Sequence, residues 1–169
     1  LQARGELDEA LRIRVEEQIP VYQRLGDVRA KAVAQGKIAG ILQARGQFAE
    51  ALALHEERLP VVERMRDIEG IAHIKYSTAA LRLQLGQHAS GGRQRIHDDL
   101  AEAFALNRQL GRPDGIGCVG QLLAQVLALA GERESALEVL TLAEQAFAKI
   151  QHADGLALVR DLRAEIGGS

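Results

Sequence analysis

Few residues in this chain have types and spacings that could do chemistry. Gly115-Ile116-Gly117-Cys118-Val119-Gly120 spells the G-x-G-x-x-G of a dinucleotide loop. That loop works only behind a strand, where the glycines turn the chain and a helix N-terminus meets the pyrophosphate. Here Asn107-Arg108-Gln109-Leu110-Gly111 precedes it, the end of a helical pattern, so the glycines read as close-packing positions on a helix. His97-Asp98-Asp99 offers three possible metal ligands or an acid–base group. Adjacent helical side chains do not face one another, so these three read as a carboxylate-rich helix start rather than a convergent site. His55, His73, His88 and His152 are scattered, and none has a second His or a Cys at zinc spacing. Cys118 is the single cysteine; it has no His/Asp partner in sequence and reads as a small apolar helix residue. The expectation is no catalytic residue, no metal and no cofactor: not an enzyme.

The elements that carry these residues repeat. Leu1-Gln2-Ala3-Arg4-Gly5 returns as Leu42-Gln43-Ala44-Arg45-Gly46, and Glu9-Ala10-Leu11 as Glu50-Ala51-Leu52. A glycine closing an apolar run recurs at Gly5, Gly46, Gly86 and Gly131, and a second marker half a unit later at Leu25, Met65, Leu110 and Ile150. The intervals are about 40 residues, with one lengthened unit, which places an insertion at His88-Ala89-Ser90-Gly91-Gly92. The units run 1–26 (partial), 27–66, 67–111, 112–151 and 152–169. Apolar residues at three- and four-residue spacing, as in Leu122-Leu123-Ala124-Gln125-Val126-Leu127, predict helices near 8–24, 28–45, 48–64, 68–85, 93–109, 113–130, 132–149 and 154–166. Asp8, Asp27, Asp67 and Asp114 are expected to open helices, and the repeat glycines to close them. Pro20 and Pro60 stand at matching places and predict a shared kink. The charge clusters Arg12-Ile13-Arg14 and Glu56-Glu57-Arg58 read as solvated faces.

The chain is 47% hydrophobic but only 3% aromatic, with no Trp and 17 Gly. A repeat stack of this kind buries each unit against its neighbours through small residues rather than around one central core. Net charge is −2, from 21 basic and 23 acidic residues, with no basic stripe; this argues against a nucleic-acid partner. No apolar run is long enough to span a bilayer, and a single cysteine leaves no intramolecular disulfide. The start within a unit reads as a piece of a longer repeat protein.

Taken with Ile38-Ala39, Leu42, Gly46, Phe48 and Ala51, and again with Leu123-Ala124, Leu127, Gly131 and Ala136, the unit resembles the tetratricopeptide repeat. It is longer than that family's usual ~34 residues. The "LQARG…EAL" and "RLGD" phrases resemble long-repeat arrays of large bacterial signalling proteins built around ATPases or caspase-like proteases. The resemblance implies an all-α solenoid of stacked antiparallel helix pairs in a right-handed superhelix. It also implies a non-catalytic, cytoplasmic module that binds a protein or peptide, or a segment of its own parent chain. The first helix of each pair would line a concave groove, presenting Gln43, His73, Tyr76, Gln84, Gln121 and Gln125, beside Val33, Gly36, Gly40, Ala80, Cys118 and Ala128. This surface is neutral and amide-rich and fits an uncharged peptide or helix. The alternative is a self-associating scaffold or sensor part whose exposed end face, around Leu7 and Leu11, stacks on another copy.

Overall fold

The computed structural model describes residues 2–87 and 91–168. Among them every regular element is helical: α1 (Gln2–Arg12), a π-helical turn (Ile13–Gln18), α2 (Ile19–Leu25), α3 (Val28–Ala44), α4 (Phe48–Arg64), α5 (Ile68–Gln84), α6 (Gly92–Leu110), α7 (Pro113–Leu129), α8 (Arg133–Lys149) and α9 (Ala153–Gly168). They form two compact units, residues 1–87 and 88–169. In the first, α3 packs on α2 and α4, and α4 on α5; in the second, α7 packs on α6 and α8, and α9 on α8 and α7.

The turns repeat one hydrogen-bond pattern. A residue with positive φ ends each helix from α2 to α8, and the next N–H reaches the carbonyl five residues back. Gln47 N donates to Leu42 O at 2.8 Å, Gln87 N to Arg82 O at 2.9 Å and Glu132 N to Leu127 O at 2.9 Å. Gly46, Gly86 and Gly131 hold φ of 76°, 68° and 84° there, as their position in the sequence predicts. Two turns use the same geometry without glycine: Arg66 and Gln151 both sit at φ 54°. In two of these turns an aspartate caps the next helix. Asp27 Oδ1 accepts from Ala30 N at 2.8 Å and Asp67 Oδ1 from Gly70 N at 2.9 Å. In the last turn His152 takes that role, its Nδ1 accepting from Gly155 N at 2.9 Å. Arg112 is the residue ahead of α7, with no side-chain cap bond; Asp114 lies inside the first turn and pairs with Arg112 at 2.9 Å.

The first helix departs from expectation. Gly5 and Asp8 lie inside α1 and neither close nor open a helix; Asp8 instead pairs with Arg45 at 3.1 Å. The cause of the π turn is visible in the repeat. Eight residues separate Leu11 from Pro20, but seven separate Leu52 from Pro60. One residue added to an α-helix is accommodated as a π turn, and it falls in that interval. The two prolines therefore do not share a kink: Pro20 opens α2 just after the π turn, whereas Pro60 lies within an uninterrupted α4. Of the expected insertion, 88–90 lie outside the described residues; Gly91 has φ 86° and α6 starts at Gly92.

Packing uses small residues in place of aromatics. Ala39, Ala51, Ala79, Ala103, Ala124, Ala136 and Ala143 are fully buried. Where a large side chain must fit, a glycine on the facing helix receives it. A Cβ on Gly117 would lie 2.4 Å from the Phe147 ring, one on Gly155 2.8 Å from the same ring, and one on Gly120 2.9 Å from Phe104. In the first unit Gly36 receives Arg58, whose guanidinium lies 2.6 Å from the position of a Cβ.

Two outcomes follow. Gly117→Ala should lower unfolding free energy by about 1–3 kcal/mol, the usual cost of overpacking. Arg66→Gly and Gln151→Gly should each raise it by about 1 kcal/mol by relieving left-handed strain. Urea titration of the variants checks both.

Candidate functional site

The expected groove residues all lie on first helices of pairs. Gln43 is on α3, His73, Tyr76 and Gln84 on α5, and Gln121 and Gln125 on α7. His73 and Gln84 are exposed; Gln43, Tyr76, Gln121 and Gln125 are half-buried. Each of these helices is buried along its packed side, at Ala32, Ile38 and Ala39 on α3, Ala72, Ile74 and Ala79 on α5, and Val119, Leu123 and Ala124 on α7. The amides therefore stand on the sides that packing leaves accessible. Within the first unit, Val33, Lys37 and Gly40 share the open side of α3, while Gly36 is half-buried beneath Arg58. In the second unit, Gln125 and Ala128 line a cavity of about 580 Å³ with Leu129 and Ile166.

The other sequence candidates have structural partners. Gly115, Gly117 and Gly120 lie on α7 and are occupied by Asn107, Phe147 and Phe104, so no space for a pyrophosphate is left on that face. His97 Nδ1 lies 3.1 Å from Asp98 Oδ1, on one exposed helix turn. Among the described residues no group of three or more His, Cys, Asp or Glu side chains could hold a metal ion. Cys118 is exposed; partial burial of the sulfur and the nearby Asp114 carboxylate push its thiol pKa up, away from the thiolate a nucleophile needs.

A buried polar seam in the first unit was not visible in the sequence. Arg58, expected on a solvated face, is only 7% exposed, and His55 only 1%. Arg58 Nη1 lies 3.3 Å from His55 Nδ1. A guanidinium can only donate, so Nδ1 accepts and the imidazole proton sits on Nε2, which has no hydrogen-bond partner; nor has Arg58 Nε. The His73 ring stands edge-on, 6.0 Å from His55. Gln35 Nε2 donates to Glu57 at 2.9 Å, and Arg82, 4% exposed, pairs with Glu56 at 2.7 Å. The signal that could have located this seam is Gly36, half a unit ahead of Arg58: a glycine facing an arginine across a helix pair.

The fold is shared with known proteins. Two solved structures of a putative kinesin light chain with nearly identical TPR-like repeats from Podosopora anserina, one of them a point variant, superpose with TM-scores of 0.64 and 0.65. They are 19% and 18% identical, and each comparison covers 99% of this chain and 92% of that one. The likeness shows a TPR-like helical repeat fold. No family model matches the chain, and no curated protein matches it. No helix among the described residues is long and apolar enough to cross a membrane.

The seam carries a pH signature. Burial, then the charge of Arg58, then His73, lower the His55 pKa from 6.5 to about 4. Between those values the unfolded chain binds a proton that the folded chain refuses, so stability falls as pH drops from 6.5 to 4 and the loss levels off below. One group shifted this far accounts for about 3 kcal/mol. Chemical unfolding at pH 7, 5.5 and 4 should show that decline in the wild type, and His55→Leu should flatten it.

Proposed function

We propose that the chain is a non-catalytic protein-interaction module, which binds a peptide or helix of a partner protein, or of its own parent chain, on the open sides of its first-of-pair helices. The observation that carries this reading is the accessibility of Gln43, His73, Tyr76, Gln84, Gln121 and Gln125 on helices otherwise buried by packing. Amides supply donors and acceptors to a peptide backbone, and Tyr76 adds an amphipathic anchor of the kind enriched at binding surfaces. These six positions carry no carboxylate, Lys or Arg, so the ligand is an uncharged segment rather than an acidic tail. No nucleic acid or membrane belongs to this reading. The roughly 40-residue unit supports a further placement: a scaffold or sensor part of a cytoplasmic bacterial signalling protein.

The test is affinity capture from host lysate with wild-type chain and a Tyr76→Ala/Gln121→Ala double variant, both confirmed folded by circular dichroism. A partner retained by wild type and lost at least tenfold by the variant supports the reading. A partner held equally by both removes these faces from it.

A further inference from the structure

Arg58 brings a positive charge into the first unit without an ion-pair partner. It is only 7% exposed, and among the described residues no carboxylate pairs with it. Its Nη1 is engaged by His55 Nδ1 at 3.3 Å. The other edge of the guanidinium, Nε with Nη2, makes no hydrogen bond among the described residues. Asp67 supplies a negative charge that acts on Arg58, but its Oδ1 accepts from Gly70 N at 2.9 Å and caps α5. Burying a charge without a hydrogen-bonded counter-ion is costly, so this edge has the chemistry of an anion receptor.

The other units show how the cation reaches its place. Aligning the positive-φ turn residues Gly46, Gly86 and Gly131 matches Gly36 with Tyr76 and Gln121, and Gly40 with Ala80 and Gln125. Aligning Arg66, Gly111 and Gln151 matches Arg58 with Ala103 and Ala143, both fully buried. Where those units have a half-buried Tyr or Gln on the first helix and an Ala on the second, this one has Gly and Arg. A Cβ on Gly36 would lie 2.6 Å from Arg58 Nη2. The guanidinium therefore stands where the side chain of Tyr76 or Gln121 begins on its own helix.

The approach lies one turn further along α3. A helical Cα–Cβ bond tilts toward the N-terminus, so a side chain at position 40 would lie over position 36. Gly40 is exposed, and a Cβ there would meet nothing within 4 Å. Lys37 shares this open side; it is exposed and forms no ion pair among the described residues. Burial, then the charge of Arg58, lower the His73 pKa, against Glu69, which raises it. The field of the buried cation thus reaches the exposed ring on α5.

We propose that the open side of α3 binds a small free carboxylate, held by the Nε–Nη2 edge of Arg58 beside Gly40, with the Lys37 ammonium alongside. The two oxygens of a carboxylate match the two parallel N–H groups of that edge; chloride offers a single acceptor atom. The six neutral positions of the peptide reading supply no further cation, so the ligand is a small anion rather than an acidic segment. The site goes beyond that reading and needs no partner protein.

Nuclear magnetic resonance of the purified chain tests this, with acetate replacing chloride at constant ionic strength. The Arg58 Nε–H and the backbone amides of Val33, Lys37 and Gly40 should shift saturably, with half-saturation near about 10 mM for one charge-assisted pair. Lys37→Ala should weaken binding about threefold. Gly36→Gln/Arg58→Ala rebuilds the pairing of Gln121 with Ala143 and should abolish the saturable shifts of the amides. Gly40→Leu should weaken binding about tenfold by covering the guanidinium. Wild-type shifts that stay linear in acetate would overturn the proposal, as would wild-type saturation in the double variant or in Gly40→Leu. If the double variant does not fold, Gly40→Leu decides alone, because its side chain enters open space on an exposed turn.

Discussion

Close helix approach in both units depends on one kind of contact: a large side chain on one helix seated where the facing helix has only a glycine. Phe147 enters between Gly117 of α7 and Gly155 of α9, Phe104 sits on Gly120, and Arg58 sits on Gly36. A packed interior tolerates no added methyl at such points without movement. Alanines elsewhere in the packed helices are fully buried. The chain has only three Phe and two Tyr, so these few seats and the alanine seams replace the aromatic core of a more conventional domain.

That economy decides which surfaces remain available. Helices packed through narrow stripes of Ala and Gly keep a broad side accessible, and on α3, α5 and α7 that side bears Gln43, Tyr76, Gln84, Gln121 and Gln125. The seam around Arg58 and His55 departs from apolar packing in the first unit. It buries the Arg58 cation beside a neutral imidazole, with polar atoms of both left unpartnered, a locally costly arrangement. Its benefit to the fold is geometric: the guanidinium fills the space that Gly36 leaves on the facing helix.

Much of this was legible in the sequence because the period reports backbone geometry directly. Gly46, Gly86 and Gly131 marked turns that require positive φ, and Asp27 and Asp67 marked caps. The same marks misled at Gly5 and Asp8, where no neighbouring turn forms and the helix runs through them. The π turn was latent in the intervals, 41 residues from Glu9 to Glu50 but 40 from Pro20 to Pro60; only the folded helix shows where the extra residue goes. The burial of Arg58 was not legible, because a charge in a Glu-Glu-Arg run reads as solvated unless the glycine opposite it is known. For the proposed binding faces, reading the repeat put the six residues on first-of-pair helices, and side-chain accessibility then separated exposed His73 and Gln84 from the half-buried remainder.

The central claim is that partners dock on the open sides of α5 and α7. The most direct measurement is site-specific photocrosslinking in the native host, with the probe at Gln84 or Gln121 compared with Glu63 on α4 and Glu138 on α8, which are exposed on second-of-pair helices. The account predicts a discrete adduct from Gln84 and Gln121 and none from Glu63 and Glu138. The same adduct from Glu63 or Glu138, with none from Gln84 or Gln121, would contradict it.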